Sequence, residues 1–143
     1  MKCYGFDVDQ YDWDMLPSGL YMITELFNIR FRDEHGRKHV YQISPGLVTD
    51  GGSIPSALSW FAPGWTDEDP EYNACFILHD CLYASELLPK KDADNVLRGS
   101  LRDCDVSRLV ASTICFAVDK FATRHYGVKH DKYGARFHIE DVS

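Results

Sequence analysis

The clearest pattern in the chain is an alternation of apolar and polar side chains, which runs over residues 27–32 and again over residues 38–44. A period of two residues is typical of a strand that buries one face. The intervening residues 33–36 have the Asp and Gly content of a tight turn. The two segments therefore predict a β-hairpin.

Apolar residues recur at helical spacing in three later segments, residues 70–87, 91–102 and 106–126. Asp69 followed by proline suits the N-cap and first position of the first helix. Asp105 is predicted to cap the last helix and Gly127 to end it. A short helix is also expected over residues 56–61.

These elements predict an α+β fold, with an N-terminal β-hairpin layer packed on a small bundle of three to four helices. Residues 19–127 form the single predicted domain. Residues 1–18 are acidic and aromatic and are interpreted as an arm or an irregular edge strand. Residues 128–143 are interpreted as a C-terminal extension.

Charge and cysteine content narrow the possible partners. The 143 residues carry 15 Lys and Arg against 22 Asp and Glu, a net charge of −7. A nucleic-acid partner is not expected, because neutralising phosphates requires a basic face.

No apolar stretch is long enough for a membrane span. The five cysteines include no CxxC pair, so reduced thiols in the cytoplasm are expected.

The segment LHDCLY at residues 78–83 is the first candidate for chemistry. On the predicted helix, His79 shares the apolar stripe with Tyr83, and Asp80 lies at its edge. As an enzyme site, His79 would act on water, Asp80 would hold a metal ion, and Tyr83 or Asp94 would orient His79. The alternative is a core histidine bonded to its neighbours.

The loop TDGGSIP at residues 49–55 is the second candidate. Asp50 is a possible metal ligand. Consecutive glycines also allow backbone groups to approach an ion closely. The loop residues concerned are Thr49, Gly51, Gly52 and Ser53. The alternative is a tight loop whose polar side chains cap the next helix.

Large aromatic residues predict a contact surface. Trp60, Phe61 and Trp65 lie near Pro and Gly in one loop, and Tyr11 and Trp13 lie in the N-terminal arm. Aromatic side chains are enriched at protein interfaces. We therefore expect Trp60, Phe61 and Trp65 to form either core or an interface with another protein. The arm with Tyr11 and Trp13 is expected to pack on the β-hairpin of its own chain or on another subunit.

The two polar motifs together resemble a family of small phage and prophage proteins of unknown function. Its members carry a TDGxSIP-like loop, an HDxLY-like helix and a following Ala-Asp pair, which here is Ala93-Asp94. This chain has Gly52 and Cys81 where members often have Ala and Tyr. The resemblance implies a phage origin, other phage proteins as partners, and a location in the host cytoplasm or the virion.

A weaker likeness concerns phospholipases that carry a His-Asp pair on a helix. Those enzymes place a Tyr four residues after the His and a Cys four before it, as Tyr83 and Cys75 are placed around His79. The likeness implies a water-activating His79, a cation at Asp80 and an orienting Asp on a second helix, either Asp94 or Asp119.

Two functions therefore follow from the sequence. The first is a virion- or tail-associated structural or assembly component, in which the polar residues form a buried network. The alternative is a divalent-metal-dependent hydrolase that uses His79 and Asp80 with Asp50 and Asp94.

Overall fold

A computed structural model of the chain describes residues 1–49, 65–122 and 139–143. Its described strands form two antiparallel sheets. The four-stranded sheet has the order β1-β4-β5-β7, and the three-stranded sheet has the order β2-β3-β6. The strands are β1 Tyr4–Val8, β2 Trp13–Met15, β3 Tyr21–Ile23, β4 Phe27–Arg32, β5 Lys38–Ile43, β6 Val48–Thr49 and β7 Ile139–Asp141.

The β-hairpin of β4 and β5 is confirmed, with Phe27 opposite Ile43 and Arg32 opposite Lys38. The apolar side chains of β4 are buried and the intervening polar ones are more exposed, as the alternation requires. In the turn, the Asp33 carboxylate accepts hydrogen bonds from two backbone N–H groups. It also bonds the buried His39 ring at 3.0 Å.

Both ends of the described chain join the four-stranded sheet. β1 pairs with β4, and β7 pairs with β5, so these two strands form the sheet edges. Residues 1–18 supply β1 and also β2, which pairs with β3. The register between β1 and β4 is irregular between Tyr4 and Asp7.

Three helices are described, α1 Pro70–Ser85, α2 Lys90–Asp103 and α3 Arg108–Ala122. With the antiparallel sheets they confirm the α+β class. The helix expected over residues 56–61 and the helix end expected at Gly127 lie outside the described residues. No helix in the described segments is long and apolar enough to cross a bilayer.

Helix α1 is buried on most of its circumference and makes the core with the sheet and α2. It contacts α2, β1 and β7, whereas α2 also contacts α3 and β1. Asp69 caps α1 as expected, with its side chain accepting from the Tyr72 N–H at 3.1 Å. The five cysteines are free thiols in this structure.

Asp105 does not cap α3, contrary to the sequence prediction. It adopts a left-handed conformation, with φ of 64°, immediately after α2. The Val106 N–H bonds the Leu101 carbonyl and the Asp105 N–H bonds the Arg102 carbonyl, the two bonds of a Schellman motif. Asp105 therefore ends α2, and the Ser107 hydroxyl caps α3 by accepting from the Val110 N–H.

Gly99 allows the N-terminal segment to lie directly on α2. A Cβ atom at Gly99 would lie 2.6 Å from the Cys3 carbonyl oxygen. We expect Gly99→Ala to lower the free energy of unfolding by roughly 1–3 kcal/mol, because backbone must move to relieve the clash. Denaturant unfolding measures the change, with Lys91→Ala on the same helix as control. Equal stability of the two variants would contradict this close packing.

Candidate functional site

The described part of the candidate site lies where α1 faces the beginning of α2. His79 and Tyr83 are one turn apart on α1, so both side chains leave the helix on the same face. Asp94 follows the buried Ala93 on α2 and reaches both of them. Both His79 and Tyr83 therefore contact Asp94 directly, and these are the three residues that the sequence predicts to act together.

The Asp94 carboxylate accepts three side-chain hydrogen bonds. One oxygen bonds His79 Nε2 at 2.9 Å and also accepts from the Tyr83 hydroxyl. The other oxygen accepts from Lys90 Nζ at 2.9 Å. Lys90 in turn bonds the Asp119 carboxylate on α3 at 2.5 Å. The network thus connects all three helices.

These bonds set the ionisation of the site. Burial acts to raise the pKa of Asp94, but the hydrogen bonds from His79, Tyr83 and Lys90 outweigh it and hold that pKa below its usual value. Burial, together with the bond to Asp94, raises the pKa of the Tyr83 hydroxyl. Asp94 is therefore a carboxylate and an acceptor, and Tyr83 is a protonated donor.

The His79 ring is held as one neutral tautomer. Only 3% of its surface is exposed, and this burial lowers the pKa of His79 although the Asp94 carboxylate acts to raise it. Because Asp94 is the acceptor, Nε2 carries the proton and Nδ1 carries the lone pair. Nδ1 lies 4.0 Å from Asp80 Oδ1.

The predicted metal ligands and loop residues are only partly described. The Asp80 side chain is 43% exposed at the edge of α1. Thr49 is buried at the end of β6, opposite Tyr21. Asp50, Gly51, Gly52 and Ser53 lie outside the described residues, so Asp50 as a metal ligand stays a prediction. Within the described ranges, no three His, Cys, Asp or Glu side chains converge to hold a metal ion.

Three of the aromatic residues predicted as an interface contact one another within the chain, Tyr11, Trp13 and Trp65. Tyr11 is buried, stacks on Phe27 at 4.2 Å and donates its hydroxyl to a backbone carbonyl. Tyr11 is therefore a core residue here rather than a surface one. Trp13 meets Trp65 edge to face, and Trp65 stacks on Tyr21. Trp60 and Phe61 are outside the described part of the chain.

Lys90 is the site residue that the sequence interpretation missed. It precedes Asp94 by four residues on α2, the spacing at which opposite charges meet on a helix surface. This spacing in the sequence could have predicted the ion pair between Lys90 and Asp94. Burial and the bonds to Asp119 and Asp94 act in opposite directions, and the bonds prevail to raise the pKa of Lys90.

The lowered pKa of His79 predicts a pH-dependent stability. An unfolded histidine has a pKa of about 6.5, so the unfolded chain takes up this proton at a higher pH than the folded chain does. The free energy of unfolding should therefore fall as the pH falls below about 6.5. Unfolding at several pH values measures this slope, and His79→Gln should reduce it.

The matched control is His35→Gln, because the His35 side chain is 83% exposed. This variant should keep the slope of the unaltered protein. An unchanged slope in His79→Gln would contradict the burial of a neutral His79.

The comparisons with known proteins identify a family for this chain but no function. A family model described as a protein of unknown function, DUF1353, matches residues 25–118. This range covers more than half of the chain and includes α1 and α2. No curated protein and no solved structure matches the chain. The chain belongs to the DUF1353 family.

Proposed function

We propose that this protein is a hydrolase in which His79 takes a proton from water as general base. The observation that supports this proposal best is the bond between His79 Nε2 and Asp94. It leaves Nδ1 as the basic nitrogen, and burial keeps the ring neutral near pH 7. A neutral imidazole oriented by a carboxylate is the form that general-base catalysis uses.

Asp94 is assigned as the positioning residue for His79. As a carboxylate it fixes the ring orientation and stabilises the imidazolium that forms when His79 takes up a proton. The Tyr83 hydroxyl and Lys90 bond the same carboxylate and restrict its movement. This division of roles agrees with the phospholipase likeness, in which an Asp on a second helix orients the His.

Asp80 is the acidic residue beside Nδ1, the nitrogen of His79 that would take the proton. The 4.0 Å between Nδ1 and Asp80 Oδ1 is too long for a hydrogen bond, and a water molecule bonded to both atoms fits such a gap. A divalent cation, with Asp50 and Asp80 as proposed ligands, would polarise the substrate carbonyl. The remaining ligands would have to come from residues outside the described ranges.

A carboxylic ester is the substrate class that the phospholipase likeness favours. We expect the purified chain to hydrolyse p-nitrophenyl butyrate or a fluorogenic phospholipid, each assayed with Ca²⁺ and with EDTA. His79→Gln should lower kcat by roughly 10²–10⁴-fold, the usual contribution of a general base. Asp94→Asn should also lower kcat and should shift its pH profile, because the orientation of His79 is lost.

His39→Gln is the matched control, because it also removes a buried His–Asp pair, at 3.0 Å from Asp33 in the hairpin turn. Each variant is first checked for folding by circular dichroism. Equal activity of folded His79→Gln, His39→Gln and the unaltered protein would contradict the proposal, as would the absence of ester hydrolysis under both metal conditions.

The second candidate function is a structural or assembly component of a phage particle. It is favoured by the burial of His79 and by the three donors on Asp94, because a satisfied buried network stabilises a fold without doing chemistry. Copurification with finished virions from infected cells tests it. Presence in virions at a fixed copy number would support this function, and absence from them would contradict it.

A further inference from the structure

A cavity lies on a different part of the molecule from His79. It has a volume of about 750 Å³ and is bordered by the N-terminal segment, α2 and the beginning of α3. None of the side chains of the Asp94 network lines it. Its volume is within the range of small-molecule sites, roughly 300–1,000 Å³.

The cavity lining is rich in cations although the whole chain is acidic. Five of its residues are basic and two are acidic, whereas the chain has a net charge of −7. A cleft lined by charges of one sign concentrates the potential and attracts ions of the opposite sign. The basic residues are Lys2, Lys91, Arg98, Arg102 and Arg108.

The carboxylates of the lining already have backbone partners. Asp103 accepts the Phe6 N–H at 2.8 Å, and Glu34 accepts the Lys2 N–H at 2.6 Å. By contrast, the side chains of Lys91 and Arg108 make no hydrogen bond or ion pair with any residue in the described part of the chain. The five basic side chains outnumber the two carboxylates, so the lining keeps a net positive charge.

An aromatic ring borders the same cavity. Tyr4 lies at the beginning of the edge strand β1 and is 51% exposed, whereas most aromatic side chains in the described ranges are buried. An exposed tyrosine ring offers a face on which a flat heterocycle stacks. Basic side chains next to such a ring suit a nucleotide, because the cations bind its phosphate groups and the ring stacks on its base.

We propose that this cavity binds a nucleoside polyphosphate, with the phosphate groups on Lys91, Arg98 and Arg108 and the base on Tyr4. Arginine guanidinium groups bind phosphate oxygens in pairs, and a lysine adds a point charge. The site is independent of the proposed hydrolase chemistry, because it shares no side chain with the Asp94 network.

Isothermal titration of the full-length protein with ATP, inorganic triphosphate and adenosine tests the proposal. ATP and triphosphate should bind, and adenosine should not bind measurably. The double variant Lys91→Ala/Arg108→Ala should weaken the binding of both phosphates at least 10-fold. Tyr4→Ser should weaken ATP roughly 10-fold, the effect of losing one stacked base, and should leave triphosphate unchanged.

The control variant, Arg37→Ala/Lys38→Ala, removes the same charge from the exposed hairpin end and should retain the original affinities. Absence of binding by both phosphates would overturn the proposal, as would equal losses in the two double variants. Equal losses of ATP and triphosphate binding in Tyr4→Ser would overturn the stacking of the base.

Discussion

The hydrogen bonds to the Asp94 carboxylate are the interactions on which the packing of α2 on α1 depends. A partly buried charge is tolerated only where hydrogen bonds replace its lost hydration, and Asp94 has three such bonds, from His79, Tyr83 and Lys90. Two of the donors lie on α1, and Lys90 extends the network to Asp119 on α3. Asp94 thus ties α2 to α1 and fixes the tautomer of His79, and Lys90 ties α2 to α3.

Local patterns predicted the parts of the fold in which one physical effect dominates. The alternation in β4 arises because one face of the sheet is buried. Asp69 precedes α1 because the first N–H groups of a helix need an acceptor from outside it. Residues 1–18 show no such alternation and were interpreted as an arm or an irregular edge strand. β1 is an edge strand with an irregular register, and an irregularity of this kind interrupts the alternation of side chains.

The sequence predicted the residues of the candidate site and offered Asp94 as a partner of His79, but its local pattern could not show how they meet. Helical spacing places His79 and Tyr83 on one face, whereas the position of Asp94 opposite them depends on the packing of α2 on α1, which is not encoded in local periodicity. Asp105 shows the reverse case. An Asp before a helix suits a cap, yet the turn between α2 and α3 requires a left-handed residue there, and Asp tolerates that conformation.

The central claim is that Asp94 holds His79 as a neutral base with its proton on Nε2. Long-range ¹H–¹⁵N correlation NMR of the histidine ring measures this state directly. Near pH 7.5, the account predicts a protonated Nε2 and an unprotonated Nδ1 for His79, and a change of tautomer population in Asp94→Asn. A proton on Nδ1, or a doubly protonated ring at that pH, would contradict the account.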